Sequence, residues 1–508
     1  MPASRDLPPG EGLLDARQAA EFLGVKRSTL YAYASRGWVR TAPASGAQPG
    51  GARARLYARA DLDRLKARHD ARAGHGAVAA GALRWGEPVL ESSLTRIDER
   101  GHSYRGQSAL ELAARGVRFE AVCELLWTGQ LRDRLPLSPG AAATAAAVSR
   151  VAAASAAVSR AAATSAAVSR AAAESAEAAS TSAEAMLRSA PRPPARRGKP
   201  LRAPAQGLGL AHLEDLIPFG APPLAGLSLA VPALGLVDPG RFDAPFEAEL
   251  TRARELVRMM SALLALAHGA GRVAAALTVG RLTSSVAASA LAALSPPRDP
   301  GSLPSRARIT LLDRALVLSA DHELNPSSFA ARVAGSVGAD LYACVTAALA
   351  TLSGPRHGGM CDRVEALLAE VERPERAADV LFERSARGES IPGFGHHLYP
   401  RGDPRGRMLL EAAAAHAPRA AGVRRALALA KVMRATRREE PTLDLGLCAV
   451  AAALDLPRGA PVALFALGRA AGWIAHALEQ RAAGFVLRPR ARYVGPTGEL
   501  PSGPGRAM

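Results

Sequence analysis

IPGFGHHLYPRGDPRG, residues 391–406, sets adjacent histidines, His396 and His397, among glycines and ends on Asp-Pro-Arg. Glycine neighbours let a ligand approach the backbone, and Arg405 is the side-chain type that grips a carboxylate with two parallel hydrogen bonds. Two more segments share this chemistry. SADHELNPSSFAARVAGSVGADLYACVTAALATLSGPRHGGM (319–360) carries His322 and His357. PTLDLG (441–446), with FALGRAAGWIAHALEQRAAGFVLRPRARYVG (465–495) behind it, carries Asp444 between two leucines, then Arg469 and Arg488. Isolated histidines, flanking arginines and one apolar-set aspartate point to a small polyanionic ligand. A metal is the rival reading, but no two of His322, His357 and His396 stand at His-x3-His spacing, and the arginines would repel a cation. No metal and no other cofactor is expected.

At 508 residues the chain has room for two to four domains of roughly 100–200 residues each. Its net charge is +18, yet only Lys26, Lys66, Lys199 and Lys431 are lysine, leaving 60 arginines among the 64 basic residues. Four scattered cysteines (Cys123, Cys344, Cys361, Cys448) without a Cys-x-x-Cys exclude a disulfide framework and suit a reducing, cytoplasmic setting. Aromatics make up 4% against 48% hydrophobic residues, so the apolar content is mainly Ala, Leu and Val, which favours helices. The N-terminus has no apolar run of the secretory kind. Residues 216–237 are uncharged but broken by Pro218, Pro222, Pro223 and Pro232, which predicts a buried loop and broken helix rather than a membrane span.

Along the chain, residues 1–75 form a separate domain. Asp15 is placed to cap a helix over 16–23, Gly24 supplies a turn, and 28–35 forms a second short helix, which together suggest helix-turn-helix. A third helix is expected over 61–72. No acidic residue lies between Lys26 and Arg59, where seven basic ones do. Residues 141–204 are a low-complexity Ala/Arg/Pro-rich insertion, opening with ten-residue repeats that end Ala-Val-Ser-Arg at Arg150, Arg160 and Arg170. From 205 to 481 the period is helical, for instance over 246–266, 329–352, 361–371, 422–436 and 462–480.

LLDARQAAEFLGVKRSTLYAYASRGWVR (13–40), with RLYARADLDRLKAR (55–68), resembles the winged helix-turn-helix of the excisionase and mercury-resistance-regulator type. The resemblance implies a second helix that enters the DNA major groove and a basic wing on the backbone, giving Arg27, Ser28, Thr29, Tyr31, Arg53 and Arg55 as DNA-contact candidates within residues 12–75.

The histidine segments resemble the citrate synthase family. The motifs are Ala-Asp-His-Glu (320–323), Gly-Pro-Arg-His-Gly-Gly (354–359), Gly-Phe-Gly-His (393–396) followed by Asp-Pro-Arg, and Arg-Pro-Arg (488–490) before Tyr493 and Gly495. SSLTRIDERGHSYRGQSALELA (92–113) and FEAVCELLWTGQL (119–131) add the family's N-terminal pattern. The implied fold is all-α, with a large helical domain (84–357, interrupted by 141–204, and 450–508) and a small one (358–449) that closes over the substrates, in a homodimer. The implied reaction condenses acetyl-CoA, oxaloacetate and water to citrate and CoA. In it His357 bonds the thioester oxygen as the enol forms, Asp444 takes the methyl proton, and His396 polarises the oxaloacetate carbonyl. His322, Arg405 and Arg469 hold the dicarboxylate, and Arg488 reaches in from the other subunit. Two alternatives stand beside this: propionyl-CoA as donor, giving 2-methylcitrate, and a DNA-binding regulator whose synthase fold senses a metabolite.

Four positions depart from the family pattern: Ser319 for a first histidine, Thr442 and Cys361 each for an asparagine, and Arg356 for a small residue before His357. His69, His75, His102, His212, His268 and His416 are read as surface or satisfied core residues, and His476 as part of helix packing.

Overall fold

Asp15 begins the first described helix as its cap: its carboxylate accepts from the backbone N–H of Arg17 and Gln18 at 2.7 and 2.8 Å, and the Gln18 side chain accepts from the Asp15 N–H. The helix Ala16–Leu23 stops at Gly24, whose φ of 65° is the left-handed conformation that glycine adopts freely. The helix Arg27–Ser35 follows, and strands Leu13–Leu14, Thr41–Pro43 and Arg55–Ala58 form an antiparallel sheet with Arg55–Ala58 in the middle. Ala19, Leu23, Leu30, Tyr57 and Leu62 make its core. Arg40 is held by Asp61 at 2.8 Å.

The computed structural model describes residues 13–35, 39–43, 55–59, 61–63, 65, 90–98, 101–132, 213, 216–242, 245–295 and 302–489. Arg53, His69, His75, His212, the repeats within 141–204 and the third helix expected over 61–72, apart from 61–63 and 65, which are helical, lie outside the described residues. The chain divides into two compact units, Met1–Glu91 with Arg488–Met508, and Ser92–Leu487.

The second unit is helical, as its composition implies, around Ala460–Ala483. This helix is long and apolar enough to cross a membrane, but its apolar window is wholly buried inside the protein. Trp473 and Ile474 are among its inaccessible side chains. Gly468 and Gly472 let it press against the end of the helix Arg306–Ser319: a Cβ on Gly472 would collide with the Asp321 carboxylate and the Ala320 carbonyl. The Gly472 N–H donates to Ala320 O at 2.9 Å.

Two expectations need correction. Residues 223–237 form one helix, Pro223–Val237, rather than a broken one, with Pro232 inside it. Pro223 fits the first turn, where no backbone donor is lost, and burial of Leu227, Ala230 and Val231 offsets the bond removed by Pro232. The continuous helix expected over 329–352 is two, Pro326–Ser336 and Leu341–Leu352, separated at Gly338 (φ 76°), with Asp340 capping the second through Ala343 N–H at 2.8 Å. A small antiparallel sheet, Thr95–Asp98, Gly101–Tyr104 and Gln107–Ser108, precedes the helices.

Candidate active site

Asp403 is the anchor of the segment quoted first. It caps the helix Pro404–His416 by accepting from Arg405 N–H at 3.0 Å, binds the Arg405 guanidinium through two bonds of 2.9 and 2.8 Å, and accepts from Leu443 N–H at 3.1 Å. One buried carboxylate thereby ties Arg405 to the start of the helix Leu443–Ala453, whose first turn carries Asp444. Gly395 N–H to Glu440 O (3.2 Å) and Thr442 N–H to Gly393 O (2.9 Å) pair the His396 loop with the segment leading to Asp444. Burial would push the Asp403 carboxyl up, but Arg405 outweighs it and holds it below the usual range.

His322 follows the helix Arg306–Ser319. Its Nε2 lies 2.9 Å from Tyr399 Oη, and its ring is edge-on to His396 with centroids 5.4 Å apart. The preceding Asp321 is inaccessible, accepts from Thr95 Oγ1, and lies 3.4 Å from His476 Nε2. His476, read as a packing residue, therefore also faces a buried carboxylate. Arg332 lies 3.4 Å from His476 Nδ1 and pairs with Glu479 at 2.8 Å, and Glu479 in turn accepts from Ser92 and Ser93.

His102, read as a surface or satisfied core residue, is a core residue with only one of its two ring nitrogens bonded among the described residues. It is 2% exposed, and its ring lies 5.9 Å from that of His322. Tyr104 Oη donates to Val317 O at 2.8 Å, so the 2.9 Å contact between His102 Nε2 and Tyr104 Oη has the histidine as donor. The proton is then on Nε2, and Nδ1 is a buried acceptor with no partner among the described residues. The residue lies inside the quoted 92–113 stretch but nothing there singles it out; its burial depends on the sheet hairpin folding against a turn more than two hundred residues later.

His357 sits in the turn before the helix Gly359–Val371, with Nε2 2.7 Å from Ser327 Oγ. Ser327 is inaccessible and also accepts from Trp473 Nε1 at 3.0 Å. It is a second residue that motif reading missed. Ser327 Oγ–H donates to Asn325 Oδ1 at 2.7 Å here; turned instead onto His357 Nε2, the same proton would leave the ring's Nδ1–H as a donor.

Burial, with Arg405 and Arg469 adding repulsion, keeps these histidines neutral: His102 falls to about 3, His396 to about 4 and His322 well below its ordinary value. His357 falls to about 4 through burial and Arg469. Asp444 moves the other way, raised chiefly by burial. Arg469 is 2% exposed, gives its Nε–H to Ser319 O at 2.7 Å, and makes no ion pair among the described residues. Burial lowers it to about 10. A buried guanidinium without a carboxylate of its own is suited to an anionic ligand.

Six of the seven residues singled out as catalytic or substrate-binding thus belong to one unit. His357, His396 and Asp444 are partly open to solvent, whereas His322, Arg405 and Arg469 are buried. Arg488 is exposed and falls at the start of the C-terminal stretch grouped with the N-terminal unit. In that N-terminal unit Arg27, Ser28, Tyr31 and Arg55 are exposed, and Thr29 is half-buried. Among the described residues no three His, Cys, Asp or Glu side chains are grouped to hold a metal ion.

A helical fold that gathers neutral histidines, an aspartate raised by burial and buried arginines suits a small anionic ligand, and family comparison narrows the class. The model of the citrate synthase C-terminal domain matches residues 82–490, and a helix-turn-helix domain model matches residues 13–70. The chain belongs to the citrate synthase family and carries an N-terminal helix-turn-helix domain. It is 31% identical to citrate synthase 2 of Bacillus subtilis over 293 residues, covering 56% of this chain and 76% of the relative. It is 33% identical to the citrate/2-methylcitrate synthase of the same organism over 298 residues, covering 58% and 78%. Relatives from Mycobacterium tuberculosis match at 40% identity over 198 residues, 38% of this chain; the chain spans about half of their length, 53%. The solved citrate synthase of Thermoplasma acidophilum, a ternary complex with carboxymethyl coenzyme A and oxaloacetate, shares the fold at a TM-score of 0.58 and 23% identity, over 82% of this chain and 97% of that one.

Proposed function

We propose that the chain is a citrate synthase that condenses acetyl-CoA with oxaloacetate and water to give citrate and CoA. The observation that carries this reading is the buried Arg469, which makes no ion pair among the described residues and acts electrostatically on the neutral His357 and the burial-raised Asp444, with the neutral His396 in the same unit. Arg469 and Arg405 hold the two carboxylates of oxaloacetate with His322. His396 donates to the ketone oxygen and draws electron density from its carbon. Asp444 removes a methyl proton from acetyl-CoA while His357 donates to the thioester oxygen, so the developing enolate charge never stands alone. The enol carbon then attacks the ketone carbon, the ketone oxygen takes up a proton, and water hydrolyses the resulting citryl-CoA to citrate and CoA. No metal is required by any of these steps.

Residues 358–449 act as the small domain, closing over the substrates so that water enters only after the carbon–carbon bond has formed. The active form is a homodimer in a reducing, cytoplasmic setting, with Arg488 supplied across the interface. The donor is tested directly: oxaloacetate with acetyl-CoA or with propionyl-CoA, thiol release being followed in each. Release with acetyl-CoA favoured over propionyl-CoA supports the reading. Preference for propionyl-CoA replaces it with 2-methylcitrate synthesis, and release with neither refutes synthase activity.

The helix Arg27–Ser35 supports a second role. Its outward residues Arg27, Ser28 and Tyr31 match the contacts expected of a recognition helix, so the N-terminal domain binds DNA through them, with Thr29, Arg53 and Arg55. Binding that weakens steeply with salt and vanishes on deleting residues 1–75 supports it; salt-independent or deletion-independent binding does not.

A further inference from the structure

Resting on the reading of Asp444 as the proton-abstracting base, we propose that Cys361 is a positioning residue, its thiol holding one oxygen of the Asp444 carboxylate while the Thr442 hydroxyl holds the other. Cys361 Sγ lies 3.4 Å from Asp444 Oδ1, and Thr442 Oγ1 lies 3.1 Å from Asp444 Oδ2. Among the described residues no other hydrogen bond or ion pair reaches this carboxylate. Cys361 is inaccessible, in the first turn of the helix Gly359–Val371, and its carbonyl accepts from Cys448 Sγ at 3.6 Å. Cys448 lies on the helix Leu443–Ala453 with Asp444, so one thiol pins the two helices and the other spans from one helix to the base on the next.

The chemistry fixes the direction of this contact. Burial and the adjacent Asp444 push the Cys361 thiol well above its ordinary range, so it keeps its proton whenever Asp444 is ionised and acts only as a donor. A thiol is a weak donor. Two neutral donors, one on each oxygen, fix the carboxylate's orientation while stabilising its charge less than a cationic partner would, so the carboxyl stays raised by burial. The charged groups that act on Asp444 from neighbouring elements are Arg405 and Asp403 at the start of Pro404–His416 and Arg469 on Ala460–Ala483. All three remain in place in the variants below.

The full-length protein is compared with Cys361→Ala and Cys361→Ser in the pH profile of kcat/KM for acetyl-CoA. Losing the donor destabilises the ionised base, so the acid limb of Cys361→Ala moves up by about one pH unit, a tenfold change in the base's proton affinity. Cys361→Ser keeps a donor and stays near wild type, and oxaloacetate KM stays within about twofold in both. An acid limb unchanged in Cys361→Ala, or shifted equally in both variants, overturns the proposal. Infrared difference spectra of wild type minus Cys361→Ala give a readout that needs no turnover. The S–H stretch of Cys361 falls in frequency as Asp444 ionises and stays constant in Asp444→Asn. A stretch constant in wild type overturns the contact, whereas absence of turnover with a moving stretch counts against the synthase reading alone.

Discussion

Asp444 and the histidines around it occupy environments that favour opposite protonation states: burial raises the carboxyl and lowers the imidazoles. Asp444→Asn, which keeps the shape and removes the base, therefore lowers kcat by about 10²- to 10⁴-fold with a nearly unchanged melting temperature; steady-state kinetics beside thermal unfolding checks this. His102 gives a stability prediction. Its folded value is about 3 against an unfolded value near 6.5, so the unfolded chain takes up a proton that the folded chain refuses. Stability from this residue is intact above the unfolded value and is lost as pH falls below it. Urea midpoints measured from about pH 7.5 to pH 5 decline less steeply in His102→Leu than in wild type; parallel declines contradict the assignment. His357, His396 and Asp444 were legible because their motifs are short and contiguous. His102 and Ser327 were not, because their significance arises from contacts with His322 and His357, which no local pattern encodes.

At the scale of elements, close approach of helices sets the site. Gly472 lets Ala460–Ala483 touch the turn that presents Asp321 and His322, so Gly472→Ala forces that turn outward. Overpacking of this kind costs about 1–3 kcal/mol, read as a lower urea midpoint, and it raises oxaloacetate KM. Gly271, which faces open space at the start of the helix Ala270–Thr283, is the control: Gly271→Ala does not lower the midpoint. The helix Ala16–Leu23 was legible to the residue because its signals, a capping aspartate and a left-handed glycine, are local. The break at Gly338 and the intact helix through Pro232 were hidden for the converse reason. Helical periodicity continues across the first, and the proline signal in the second is overridden by burial of the residues around it.

For the whole molecule, the charge of +18 divides unevenly. Residues 1–75 carry a net +6 with no acidic side chain between Lys26 and Arg59, while the helical unit buries Arg332, Arg405 and Arg469. The two units are structurally separate in core and sheet, with Tyr57 and Leu62 in one core and Trp473 and Ile474 in the other. Deleting residues 1–75 accordingly leaves CoA release within about twofold of the full chain, since no side chain of the site is removed. A loss beyond tenfold assigns the N-terminal domain a part in assembling the active form.

Carbon–carbon bond formation is the central claim, and NMR of acetyl-CoA labelled at the methyl carbon follows it without relying on thiol release, which simple thioester hydrolysis would also produce. With oxaloacetate and wild-type protein, the thioester methyl signal is replaced by a methylene signal of citrate, and with Asp444→Asn it persists. A methyl signal that persists with wild type, or that passes to free acetate, contradicts the account.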